Sequence, residues 1–214
     1  MSSMASALTR RTVFVVWCAL AGLCGCSHHD TAAAPAPVSR VDALIVSVEE
    51  VRRIANYEEL TPHAHADLRH PPVGDLNAPG PCRAAGTSDM TFAPGWTEFR
   101  SAGYSGVTDD TLPGGIALID SVNQAVAIYS DAAAARSALD QLETSLNACV
   151  ALHDPKYTFR VDKPDSTSLR ITDSGWSHQY HVKNAVLMSV GVLGIEPADR
   201  IASTILDQIT DRIK

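Results

Sequence analysis

Apolar residues recur along the chain in two periods, and the period tells helix from strand. Ser47-Val48-Glu49-Glu50 is a capping box in which the serine hydroxyl accepts a free helical N–H and the Glu50 carboxylate reaches back to the N–H of Ser47. It predicts a short helix to about Ala55, with Val51 and Ile54 turned inward and Leu44 before the cap. Gln124 to Tyr129 reads as a β-branched apolar strand, and Asp131 as the N-cap of an Ala-rich helix reaching about Val150. Leu139, Leu142, Leu146 and Cys149 fall at steps of three and four on that helix and form its buried stripe. Strand patterns follow at Tyr157 to Val161, Ser168 to Thr172, Trp176 to Val182 and Val186 to Val192, the last two joined by a turn at Lys183-Asn184-Ala185. Pro197 opens a final helix carrying Ile201, Ile205, Ile209 and Ile213 at steps of four, with Leu206 beside them. Helix, meander, helix is the order of an α+β domain on an antiparallel sheet. The Pro- and His-rich stretch from Thr61 to Gly80 reads as a long irregular loop leading to Cys82, and the chain carries no internal repeat.

The N-terminus is organised differently. Arg10 and Arg11 precede an apolar run from Thr12 to Leu23 that is too short for a bilayer span of about 20 residues. This is an export leader. Leu23-Cys24-Gly25-Cys26 resembles the bacterial lipobox, with Leu three residues and Gly one residue before the cysteine that such proteins acylate. The resemblance implies a signal peptide over residues 1–25 and a diacylglyceryl group on Cys26, the alternative being a plain secreted protein. Residues 26–40, with Ala32-Ala33-Ala34-Pro35-Ala36-Pro37, read as a Pro/Ala tether between lipid and domain, and residues 41–214 as the domain itself. The expected location is the extracytoplasmic face of the cell membrane, held by acyl chains.

Composition narrows the partners. The 214 residues are 45% hydrophobic and 19% charged, enough apolar material for one core, and the net charge of −7 argues against nucleic acid. Losing Arg10 and Arg11 with the leader takes the charge to −9. Of five cysteines, Cys18 and Cys24 leave with the leader and Cys26 carries lipid, which leaves Cys82 and Cys149 to pair in an oxidising compartment or to stay as buried thiols. No CxxC spacing suggests zinc.

Pro94-Gly95-Trp96, the strand Gln124 to Tyr129, the Asp131-capped Ala-rich helix, Cys149, Gly175-Trp176 and Asn184 together resemble the PknH-like extracellular sensor domain family, in its free-standing actinobacterial lipoprotein form. The likeness runs from about Asp42 to Ile213. It implies a noncatalytic α+β domain, a curved antiparallel sheet with packed helices, whose cleft takes an extracellular ligand. No kinase accompanies it, since the chain has no glycine-rich nucleotide loop and no HRD or DFG sequence. The family carries a second disulfide with one cysteine two residues after the GW tryptophan, where this chain has His178. Strand alternation puts Trp176, His178, Tyr180 and Val182 on one face and Ser177, Gln179, His181 and Lys183 on the other. His178 is therefore expected to point inward, and Trp176, His178 and Tyr180 to form floor or wall of the ligand cleft.

Other chemistry is poorly supported. His63, His65 and His70 stand near Asp67 in a metal-friendly composition, but in a loop with no regular element to fix them, so a solvated loop with no bound metal is expected. Asp109-Asp110 reads as solvated loop charge, and no GxSxG elbow is present. Trp96, Tyr104 and Trp176 are candidates to line an apolar cleft. The expected function is a ligand-binding, sensor-like lipoprotein domain that is not an enzyme and needs no cofactor. The alternative is an envelope scaffold that binds another envelope protein.

Overall fold

The computed structural model describes residues 40–112 and 116–214, so Cys26 and the leader lie outside the described residues. The chain runs through α1 (Val48–Ala55), β1 (Thr61–Pro62), β2 (Trp96–Leu112), β3 (Ile116–Tyr129), α2 (Ala132–Val150), β4 (Arg160–Asp165), β5 (Ser168–Asp173), β6 (Trp176–Lys183), β7 (Val186–Leu193) and α3 (Ala198–Arg212). The strands form one antiparallel sheet in the order β1-β2-β3-β7-β6-β5-β4. The α+β class read from the sequence is what the molecule has.

Alternation along the central strands decides what covers each face. Val122, Val126 and Ile128 of β3 and Val186, Met188, Val190 and Val192 of β7 face α1 and α3, where they meet Val51, Ile201, Ile205 and Ile209. Ala125, Ala127 and Tyr129 of β3, Leu187 of β7, Tyr180 and Val182 of β6 and Leu169 and Ile171 of β5 face the other way. There they meet Leu139, Leu142 and Leu146 of α2. The centre of the sheet is thus buried on both sides, which explains why β7 reads as an apolar run with a single serine and a single glycine inside it.

Local signals set the helix ends. The Ser47 hydroxyl accepts the Glu50 N–H at 3.3 Å, and the Glu50 carboxylate accepts the Ser47 N–H at 3.0 Å. Asp131 Oδ1 accepts the Ala134 N–H at 2.9 Å and starts α2 as predicted. Asn184, at φ 54°, turns β6 into β7. Arg212 at the end of α3 donates to both Glu50 oxygens, at 2.9 and 3.0 Å, and to the Ile45 carbonyl at 2.6 Å. The Ser47 N–H, opposed by burial and assisted by Arg212, holds the Glu50 carboxyl below its usual range.

The strand β2 and the first half of β3 are structure where the sequence pattern suggested none. The two form a long hairpin, paired from Trp96↔Tyr129 to Leu112↔Ile116, that runs past the last β3–β7 pair at Ser121↔Leu193. Asp109 and Asp110 belong to β2, not to a loop. The stretch from Thr61 to Gly80 is not wholly irregular either. It begins with β1 and a 3-10 turn at Ala64–Ala66, and is followed by a second such turn at Gly80–Ala84.

Cys82 and Cys149 are joined in a disulfide with Cα atoms 4.7 Å apart, stapling the turn at Gly80–Ala84 to α2 across 67 residues. The loop it closes contains the β2–β3 hairpin. On chain-entropy grounds, opening it should cost about 4 kcal/mol. Replacing both cysteines by serine should therefore lower the unfolding free energy by about that amount in denaturant titration, with the native fold still reached; an unchanged midpoint would contradict the estimate.

Candidate functional site

Helix α2 does not cover the whole of its sheet face. Register places Gly103, Asn123, Gly191 and His178 in one row across β2, β3, β7 and β6, and Ser121, Leu193 and Trp176 in the next. A cavity of about 420 Å³ stands over Asn123, Gly191, His178, Ser121, Leu193 and Trp176, and no α2 residue lines it. Two glycines let its parts pack closely. At Gly191 a Cβ would collide with the His178 ring, and at Gly103 it would strike Ala66 and Asn123.

Two walls rise from this floor, and both are pinned. The first is the segment from His63 to Pro72. The His63 N–H donates to the Gly103 carbonyl at 2.8 Å, the Ser101 N–H to the Leu68 carbonyl at 3.0 Å, and the Ser101 hydroxyl to the Ala66 carbonyl at 2.6 Å. His63, His65, Ala66, Leu68 and Pro72 line the cavity from this side. The second is Gly86-Thr87. Gly86, at φ 86°, donates its N–H to the Tyr180 hydroxyl at 3.0 Å and accepts from that hydroxyl at 3.1 Å. Thr91 and Ser88 tie the same loop back to the carbonyls of Ala84 and Arg83 beside the disulfide.

His178 is the centre of the floor. It is 4% exposed, stacks on Tyr180 with ring centroids 4.8 Å apart and meets Trp176 edge to face at 6.2 Å. Its Nε2 lies 2.7 Å from the Ser189 hydroxyl, which lies 3.2 Å from the Thr87 hydroxyl. Among the described residues, no group bonds its Nδ1. Burial lowers its pKa to about 3, so the imidazole is neutral at physiological pH. The Ser189–His178 pair is not a nucleophile and its base: Ser189 is 0% exposed, and an imidazole so acidified is a feeble base.

The residues predicted for the site divide. Trp176 and His178 line the cavity; Tyr180 does not, because its ring is fully buried beneath His178 and its hydroxyl, pushed up in pKa by burial, is spent on Gly86. The histidine loop is corrected in part. His63 and His65 reach the cavity on a tied-down segment, while Asp67 pairs with Arg100 and His70 stays near the Pro71 carbonyl. Among the described residues no group of three or more His, Cys, Asp or Glu side chains is placed to hold a metal. His181 lies on the opposite sheet face from His178, at 3.0 Å from the Ser168 hydroxyl. Neither Trp96, packed on Phe99, nor Tyr104, bonded to the Val46 carbonyl, lines the cavity. Thr87, Ser101, Ser121, Asn123 and Gly191 are lining residues that sequence reading passed over, since small residues leave no apolar period to detect, and Leu193 lies one residue past the strand read to Val192.

The sequence profile of the PknH-like extracellular domain matches residues 36–212. Among curated proteins nothing matches the chain. Among solved structures, the crystal structure of the extracellular domain of PknH from Mycobacterium tuberculosis is similar in fold, with a TM-score of 0.54 at 20% identity, over 82% of this chain and 98% of that one.

Because His178 is neutral when folded and free to protonate when unfolded, its contribution is complete above about pH 6.5 and is lost as pH falls towards about 3. The stability advantage of the wild type over His178→Asn should narrow on acidification, by about 1.4 kcal/mol per pH unit below 6.5. Urea unfolding of both proteins between pH 7 and pH 4 measures this; a gap independent of pH would refute it.

Proposed function

The chain belongs to the PknH-like extracellular domain family, and on that premise we propose that it is a cell-envelope lipoprotein whose extracytoplasmic domain binds a small ligand without transforming it. The family is one of sensor-type, noncatalytic domains, and no described helix is long and apolar enough to cross a membrane. Attachment then falls to Cys26, behind the leader and ahead of the Pro/Ala stretch.

The observation that carries the reading is the cavity itself. Its size lies within the roughly 300–1,000 Å³ typical of small-molecule sites. Its walls are bonded to the sheet before any ligand arrives, so little ordering remains to be done on binding. Its lining contains no carboxylate, no cysteine and no lysine, and its ionisable side chains are the imidazoles of His63, His65 and the buried His178. A second reading, a site for another envelope protein, has the exposed Val73 and Leu76 in its favour, at 67% and 74% exposure.

Two outcomes are expected. A small-molecule extract of the cell envelope should raise the melting temperature of the wild-type domain but not of Ser121→Trp, which fills the cavity from a half-exposed floor position. An equal rise in both would exclude the cavity as the binding site. Cells fed a clickable palmitate should label the wild-type protein and leave Cys26→Ala unlabelled and shed into the medium; label retained on the variant would remove Cys26 as the anchor.

A further inference from the structure

The cavity lining is chemically selective. None of its residues is Asp, Glu, Lys or Arg. A ligand bringing a carboxylate, phosphate or ammonium onto the floor would give up hydration beside neutral His178 with no ion of opposite sign there to meet it, the other imidazoles of the lining, His63 and His65, standing on the exposed wall. A wholly apolar occupant fails for a different reason. It would seal His178 Nδ1 under hydrocarbon without a partner and leave the Thr87 hydroxyl with its Ser189 bond alone, and a buried polar group left unmatched opposes binding.

The hydrogen-bond relay says what group fits. If Ser189 donates to His178 Nε2, then Nδ1 carries the proton and donates, Thr87 donates to Ser189, and the Thr87 oxygen is left to accept. If Nε2 carries the proton, Ser189 donates to Thr87, Nδ1 accepts and the Thr87 hydroxyl donates. In either direction the relay offers one donor at one end and one acceptor at the other. A carbonyl or ether oxygen matches only the donor end. A pair of hydroxyls on neighbouring ring carbons matches both ends in both directions, because each hydroxyl donates and accepts. Trp176 and Leu193, the latter 46% exposed, give the same floor an apolar margin for the C–H face of such a ring.

We propose that the cavity binds an uncharged saccharide unit, its adjacent hydroxyls on the His178–Ser189–Thr87 relay and its apolar face towards Trp176. This assignment rests on the cavity being the binding site. Trp176 also supplies the reporter, since with Trp96→Phe it is the only tryptophan after the leader. In that background, neutral pentose and hexose oligosaccharides should shift the tryptophan emission saturably. The corresponding uronic-acid and amino-sugar oligomers, and palmitate, should bind at least tenfold more weakly. Thr87→Val, which keeps the shape and removes the hydroxyl, should weaken saccharide binding at least tenfold while the melting temperature stays near that of the parent. Charged sugars or palmitate binding as well as neutral sugars, or Thr87→Val binding unchanged, would overturn the assignment. No saccharide binding at all would also overturn it. If Ser121→Trp still abolished stabilisation by the envelope extract, the ligand class alone would have failed; if the extract stabilised Ser121→Trp as well, the cavity reading would fall with it.

Discussion

The structure depends on one constraint, that β3 and β7 are covered on both faces. Antiparallel alternation sends Val122, Val126, Met188 and Val190 to one side and Ala125, Ala127 and Leu187 to the other, so neither strand can be satisfied by a single helical layer. The α3 layer supplies an isoleucine stripe to the first side and α2 a leucine stripe to the second. The disulfide and the Glu50–Arg212 pair then fasten segments that this two-sided burial has already brought together. A one-residue slip in β7 would exchange the two faces, placing Ser189 against α3 and Met188 against α2.

The same alternation explains what could be read from the sequence and what could not. The strands β5, β6 and β7 and the isoleucine helix were legible because each buries an apolar period, and the caps at Ser47 and Asp131 because a side-chain oxygen meets a free helical N–H; the strand read at Tyr157 to Val161 is displaced, since β4 spans Arg160–Asp165 and buries none of its residues. The strand reading began at Gln124 although β3 begins at Ile116. Ser121 and Asn123 of β3, and Ser101, Gly103 and Ser105 of β2, occupy the positions where a covered strand would carry apolar side chains. The pattern fails there because the face is the floor of a cavity. The pairing of Cys82 with Cys149 followed from counting, and the inward direction of His178 from alternation. The contributions of His63, His65 and Thr87 did not follow, since they depend on bonds from loops to β2, β7 and Tyr180 that sequence spacing does not encode.

The site draws its rigidity from its own side chains. His178 is fixed by stacking on Tyr180, by the Ser189 hydroxyl and by the room that Gly191, lacking a Cβ, leaves for its ring. Burial keeps the ring uncharged, and an uncharged ring suits a floor that has no carboxylate, ammonium or guanidinium beside it. Tyr180 holds the Gly86-Thr87 wall from below while its ring supports the floor, so the two parts of the cavity share one side chain as their foundation.

Gln124 occupies the opposite face of β3 from that floor. Its side-chain amide accepts the Val46 N–H at 2.8 Å and donates to the Val46 carbonyl at 2.7 Å, taking the place of a neighbouring strand for a single residue. Ahead of Val46 the described chain is fastened to the domain through Asp42, which pairs with Arg100 at 3.0 Å and Arg69 at 2.7 Å, and through the Ile45 carbonyl on Arg212. A mechanical pull on the N-terminus is thus carried by side chains, reaching the sheet first at Arg100 of β2 and then, at Val46, at Gln124 of β3. Asn123, one residue away, projects to the other side and forms part of the cavity floor. The Val46 anchor and the cavity floor are therefore adjacent residues of one strand.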